Sequence, residues 1–141
     1  MMTELEVAEK CIAYKVRVAA RAVTRRYDEA LRPVELRSTQ FTLLTILAVF
    51  KRATMAELSD RLSMERTTLL RNLKPLEQRG FVHIEGDGRP SPMDVSISSL
   101  GEAKLREAIP LWEKAQAHLK QDLGAKVFQT ALETLEGFAK L

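Results

Sequence analysis

The stretch MERTTLLRNLKPLEQRG, Met64 to Gly80, decides how the chain is read. Turned by about 100° per residue, it gathers Leu69, Leu73 and Leu76 into one narrow sector with Leu70 at its edge, so that side is expected to pack against the protein. Thr67, Arg71 and Gln78 point the opposite way. Lys74 lies on one flank, and Thr68, Asn72 and Pro75 lie on the other. The outward face is built of hydrogen-bond donors: arginine offers two parallel N–H groups to a guanine edge or a phosphate, asparagine pairs in the same way with adenine, and threonine brings a hydroxyl together with a methyl that can touch thymine. An ordinary solvated helix also collects Arg, Lys and Gln, so the face takes its meaning from what flanks it.

Just upstream, TMAE at Thr54 to Glu57 has the spacing of a capping box and opens a short helix, MAELSDRL. Ser63 is expected to cap the Met64 helix, and Gly80 to end it. Beyond Gly80 the apolar period falls from about 3.6 to 2. Val82 and Ile84 alternate with His83 and Glu85, and Val95 and Ile97 alternate with Asp94, Ser96 and Ser98. The polar, turn-rich GDGRPSP between them predicts a β-hairpin with Arg89 at its tip, between Gly88 and Pro90. A short capped helix, a tight junction, a second helix with a donor-rich outer face and a hairpin tipped by arginine make the order of a winged helix-turn-helix. In that arrangement the second helix enters a major groove and the hairpin tip reaches an adjacent minor groove.

Further out, QFTLLTILAVF follows Ser38 and Thr39 and is apolar nearly all round, which predicts a central helix. Leu5, Ile12, Val16, Ala19, Val23, Tyr27 and Leu31 recur at helical spacing and predict one long helix ending before Pro33. Ser99 and Glu102 predict the capped start of another long helix, through Leu105, Leu111 and Leu119. After Gly124 the residues Val127, Phe128, Leu132, Leu135 and Phe138 form a further stripe. The expected fold is mainly α with a small β-hairpin wing. Residues 1–37 are read as an N-terminal dimerisation helix, 38–98 as the winged helix-turn-helix DNA-binding domain, and 99–141 as C-terminal dimerisation helices. A winged domain can bury its own core, which leaves the terminal stripes without partner surface; exposed stripes of that size mark an interface. A homodimer is expected, against the competing reading that these helices fold back on the winged domain in a monomer, and its two recognition helices would stand about 34 to 36 Å apart, one turn of DNA.

Composition narrows the choice of class. The chain has 141 residues, of which 45% are hydrophobic and 29% charged, enough for one globular core. Its net charge is only +3, and residues 63 to 98 carry five basic and five acidic groups, so attraction to nucleic acid must come from the placement of charge. The absence of a membrane-length apolar run or a signal-like amino terminus, with a single cysteine, predicts a cytoplasmic protein without disulfides. His83 and His118 have no metal-ligand or triad pattern around them, which predicts no metal, no cofactor and no enzymatic activity. The alternative to a DNA-binding regulator is a winged-helix adaptor that docks proteins on the same face.

STQFTLLTIL, TMAELSDRLSMERTTLLRNLKPLEQRGFV and VSISSLGE resemble the MarR family of bacterial winged-helix transcription regulators. CIAYKVRVAARAVTRRYDEALRP and AIPLWEKAQ are similar to one branch of it, so the resemblance spans nearly the whole chain. It implies a homodimer whose first and last helices interlock while two winged domains grip successive grooves of a pseudo-palindromic double-stranded DNA operator. By position, Arg66, Thr67, Thr68, Arg71 and Asn72 match the family's DNA-contacting stretch, and Arg89 its wing. That wing usually reads Asp-Arg-Arg ahead of the second strand, where this chain has GRPSP. The resemblance also implies a releasing signal. Cys11, near Lys10 and Lys15, is a candidate redox sensor, although the reactive cysteine of the hydroperoxide-sensing branch matches Ala13, and buried packing is the competing reading. Tyr14, Tyr27 and Trp112 are candidates to line a cleft for a small aromatic ligand, against the competing reading that they are core aromatics.

Overall fold

The computed structural model describes residues 1–86 and 92–141. Its elements, in chain order, are α1 (Glu4–Lys10), α2 (Ile12–Leu31), a 3₁₀ turn (Arg32–Val34), α3 (Ser38–Phe50), β1 (Arg52–Thr54), α4 (Met55–Leu62), α5 (Arg66–Gln78), β2 (Val82–Glu85), β3 (Asp94–Ile97), α6 (Ser99–Leu123) and α7 (Ala125–Ala139). The fold is mainly helical with a small antiparallel sheet, as expected. Among the described residues, no helix is long and apolar enough to cross a membrane.

The core gathers where α3, α4 and α5 meet the sheet. Leu43, Leu44, Leu47, Leu58, Leu69, Leu73 and Leu76 are all fully buried. Leu31, Val34 and Leu36 join it from the end of α2 and the turn that follows, and Leu105 and Ala108 join it from α6. Fully burying a leucine contributes about 1.5 to 3 kcal/mol. The three leucines of α5 therefore hold a 13-residue helix whose N-cap, Glu65, makes no side-chain capping bond.

Four local features differ from the sequence expectation. The stripe from Leu5 to Leu31 is two helices. Thr3 caps α1 with a reciprocal Glu6 bond, and Cys11 then leaves helical geometry at φ −70°, ψ 108°. No proline or glycine marks the break, so apolar spacing runs straight across it. Ser63 does not cap the Met64 helix. It adopts a left-handed conformation (φ 47°) that closes α4, its N–H donating to the Asp60 carbonyl while that of Met64 donates to Ser59. The helix that follows starts two residues later, at Arg66. The cap of α6 is Ser98, one residue before the expected Ser99, because its Oγ accepts the Gly101 N–H at 3.0 Å and donates to the Gly80 carbonyl at 2.6 Å. Finally, the hairpin has a third strand: the sheet order is β1-β3-β2, with Val95 opposite both Ala53 and Ile84. Three residues are too few to show alternation.

Gly80 ends α5 as expected. At φ 77° it lets the Phe81 N–H reach back to the Leu76 carbonyl at 2.9 Å, the bond that closes a left-handed helix terminus. Gly101 has a different reason to be glycine. A Cβ there would lie 2.1 Å from the Phe81 carbonyl oxygen, so the start of α6 crosses the exit of α5 at backbone contact.

Candidate nucleic-acid interface

The wheel drawn from the sequence is the one α5 adopts. Leu69, Leu73 and Leu76 are buried and Leu70 is half-buried, while Arg66, Thr67, Arg71, Lys74 and Gln78 are exposed. Thr68 and Asn72 are half-buried on the flank. The amide of Asn72 turns along its own helix, donating to the Thr68 carbonyl at 2.9 Å and lying 3.9 Å from the Met64 sulfur. Thr67, Arg71 and Gln78 therefore project furthest from the leucine face without a side-chain partner among the described residues. Arg66 Nη2 lies 3.2 Å from the thioether of Met93, and the Met93 carbonyl accepts the Met55 N–H at 3.0 Å. This chain of contacts ties the start of α5 to the base of the hairpin and to α4.

Pro75 sits inside α5. Lacking an N–H, it leaves the Arg71 carbonyl without its usual helical donor. The helix continues to Gln78 all the same, because Leu73 and Leu76 anchor it on either side. Arg89 lies outside the described residues. At the base of the hairpin the sequence reading missed Arg52, whose guanidinium stands 3.9 Å from both Glu85 and Asp94. Its only signal would have been the unrecognised strand β1.

The remaining site candidates separate. Tyr27 and Trp112 border one cavity of about 210 Å³ between α2, α3 and α6, together with Phe41 and Thr42. The Tyr27 hydroxyl donates to Gln116. Burial pushes its phenol above the ordinary value, with Arg26 pulling the other way. The Trp112 ring stacks on Phe41 at 6.1 Å between centroids. Tyr14 does not share this cavity; it is half-exposed, with the Lys15 ammonium 5.9 Å from its ring centroid. Cys11 is partly exposed at the α1–α2 break. Among the described residues no cluster of His, Cys, Asp or Glu could hold a metal ion.

One apolar face has no cover among the described residues. Ile12, Val16, Ala19 and Val23 of α2, with Leu135 and Phe138 of α7, line a groove of about 500 Å³, and no residue of α7 is buried.

Comparison with known proteins follows the same outline. A sequence model described as the MarR family matches residues 36–87, from the loop before α3 to just past β2. No curated protein matches the chain. Among solved structures, the M. tuberculosis transcriptional regulator MosR is 33% identical, with a TM-score of 0.78 over 94% of this chain and 98% of that one. MosR in complex with DNA is 34% identical, with a TM-score of 0.73 over 89% and 98%. A mutant MarR from E. coli complexed with operator DNA is 20% identical, with a TM-score of 0.81 over 96% and 99%, a likeness of fold. With a third of its residues shared along nearly the full length of MosR, and the family's pattern running through its central helices, the chain belongs to the MarR family.

Proposed function

We propose that this protein is a DNA-binding transcriptional regulator that recognises a pseudo-palindromic operator as a homodimer and represses until a signal releases it. The observation that carries the reading is the exposed Thr67 and Arg71 edge on a helix fixed by three buried leucines, in a chain a third identical to a regulator solved with DNA. Arg66, Thr67, Thr68, Arg71 and Asn72 are the proposed major-groove contacts, and Arg89 the proposed minor-groove contact. Arg71 is the proposed base reader: its long side chain is free to present both N–H groups to a guanine, whereas Asn72 must first give up its bond to Thr68. Residues 38–98 form the proposed DNA-binding part, and the terminal helices on either side form the proposed dimer contact.

The test is selection of bound sequences from random duplex DNA, followed by anisotropy titrations over a range of salt. Arg71→Ala is expected to weaken the selected site by about 1 to 3 kcal/mol and to relax preference at one base position. Loss of a phosphate contact would instead weaken all sequences alike and flatten the salt slope by about one unit. An Arg71→Ala protein with wild-type affinity and preference removes Arg71 from base reading. A wild-type chain that prefers no duplex over random competitor ends the proposal and favours a protein-docking adaptor.

The proposed signal is a small ligand or an oxidant. The Tyr27 and Trp112 cavity supports the first, and the partly exposed Cys11 at a helix break supports the second. Peroxide that releases the wild type but not Cys11→Ser assigns the oxidant to this thiol. Equal release of both proteins excludes it.

A further inference from the structure

A second cavity, of about 520 Å³, opens on the polar side of the molecule. Four pieces of chain meet there: the end of α2, the 3₁₀ turn with its following loop, the start of α3 and the last turn of α5. Arg32, Arg37 and Arg79 line it, over Leu36 and Pro75. It shares no residue with the Tyr27 and Trp112 cavity.

Asp28 and Gln40 each already use one acceptor oxygen at this cavity. Asp28 Oδ1 accepts the Ser38 N–H at 2.7 Å, and Gln40 Oε1 accepts the Arg37 N–H at 3.0 Å, so both side chains serve the start of α3. Glu35 directs its backbone carbonyl to Arg79 Nη1 at 2.5 Å; its carboxylate stands 4.0 Å from the same guanidinium and is 85% exposed. Arg79 is further fixed by stacking over Phe81, 4.6 Å from the ring centroid. Arg32 and Arg37 have no ion-pair partner among the described residues. One guanidinium is thus held in place while two more without an ion pair line the same space, so three guanidinium groups outnumber the two carboxylates there, Asp28 and Glu35, and the lining suits a small anion. Planar forks of this kind bind carboxylate or phosphate through paired N–H groups.

We propose that this cleft is a binding site for a small carboxylate or phosphate anion, held between Arg37 and Arg79 with Arg32 at the rim. The site belongs to the free chain and does not depend on DNA recognition. Its position does, however, join the end of α2 to the end of α5, so occupancy would bear on how the outer helices set the angle of α5.

The experiment is amide NMR on the isotopically labelled full chain, titrated separately with inorganic phosphate and with malonate at constant ionic strength against sodium chloride. Saturable shifts confined to residues 32–40 and Arg79 are expected for at least one anion. Phosphate alone, malonate alone or both would support the site and identify its chemistry. Arg37→Gln is expected to bind at least about tenfold more weakly, the effect of losing one charge-assisted contact. Arg37 is exposed, so an unchanged melting temperature verifies that the variant is folded. Diffuse, non-saturating shifts with both anions, or wild-type affinity in Arg37→Gln, would overturn the proposal.

Discussion

Gly101→Ala is expected to cost about 3 kcal/mol and to lower the melting temperature by roughly 6 to 12 °C. The sign is the informative part, because alanine in place of glycine inside a helix normally gains up to about 1 kcal/mol. At Gly101 the added methyl would meet the Phe81 carbonyl oxygen at 2.1 Å and the Ile97 side chain at 2.9 Å. Neither neighbour can withdraw cheaply. The Phe81 carbonyl accepts the Ser98 N–H at 3.0 Å, and the Phe81 N–H closes the end of α5 on Leu76. Moving α6 outward would therefore pull on the helix proposed to read DNA, and operator affinity should fall together with stability. Thermal unfolding by circular dichroism checks the first effect and anisotropy the second. A variant as stable as the wild type would show that α6 does not approach so closely.

Val16→Asp is expected to convert the proposed homodimer to monomer and to weaken operator binding at least a hundredfold. Val16 lies midway along the groove formed by α2 and α7. A dimer that closes this groove by two-fold symmetry would bury two new carboxylates in a mainly apolar lining, each costing several kcal/mol. The core around α3, α4 and α5 does not include Val16, so the monomer should keep its helical spectrum. Under the proposed function, operator binding fails for a geometric reason: one recognition helix alone gives up the second half-site. Sedimentation velocity and anisotropy measure the two effects. A dimeric Val16→Asp protein with wild-type affinity would place the subunit contact elsewhere.

The two variants probe different kinds of information. The leucine face of α5 was legible because helical period and burial are the same fact seen twice: residues three and four apart share a side, and the side with leucines goes inward. Leu69, Leu73 and Leu76 are all fully buried. The change of period after Gly80 likewise located β2 and β3. Of the proposed contacts, Thr67 and Arg71 lie on the exposed side as read, and Arg66, which the resemblance supplied, is exposed too. The bond from Asn72 to Thr68 was not legible, since whether an asparagine turns outward or back onto its own helix depends on the Met64 and Thr68 environment.

Caps were read to within a residue or two. Ser63, Ser98 and Ser99 are all good cap residues by type. Between Ser98 and Ser99 the choice is made by a carbonyl from elsewhere in the fold, that of Gly80, whereas Ser63 is taken up by the left-handed closure of α4. The break at Cys11 carries no residue that forbids helix, and β1 exists only because β3 lies beside it.

By itself, then, the sequence determined the kinds of element, their order and the donor-rich side of α5, because local period, caps and glycine placement act over a few residues. Only the tertiary structure decided the third strand, the closure of α4 by Ser63, the need for glycine at position 101 and the meeting of Arg32, Arg37 and Arg79 around one cleft. Each of those joins groups that the chain separates or that local preference leaves equal. Their pairing is settled by packing distance and hydrogen-bond supply in three dimensions.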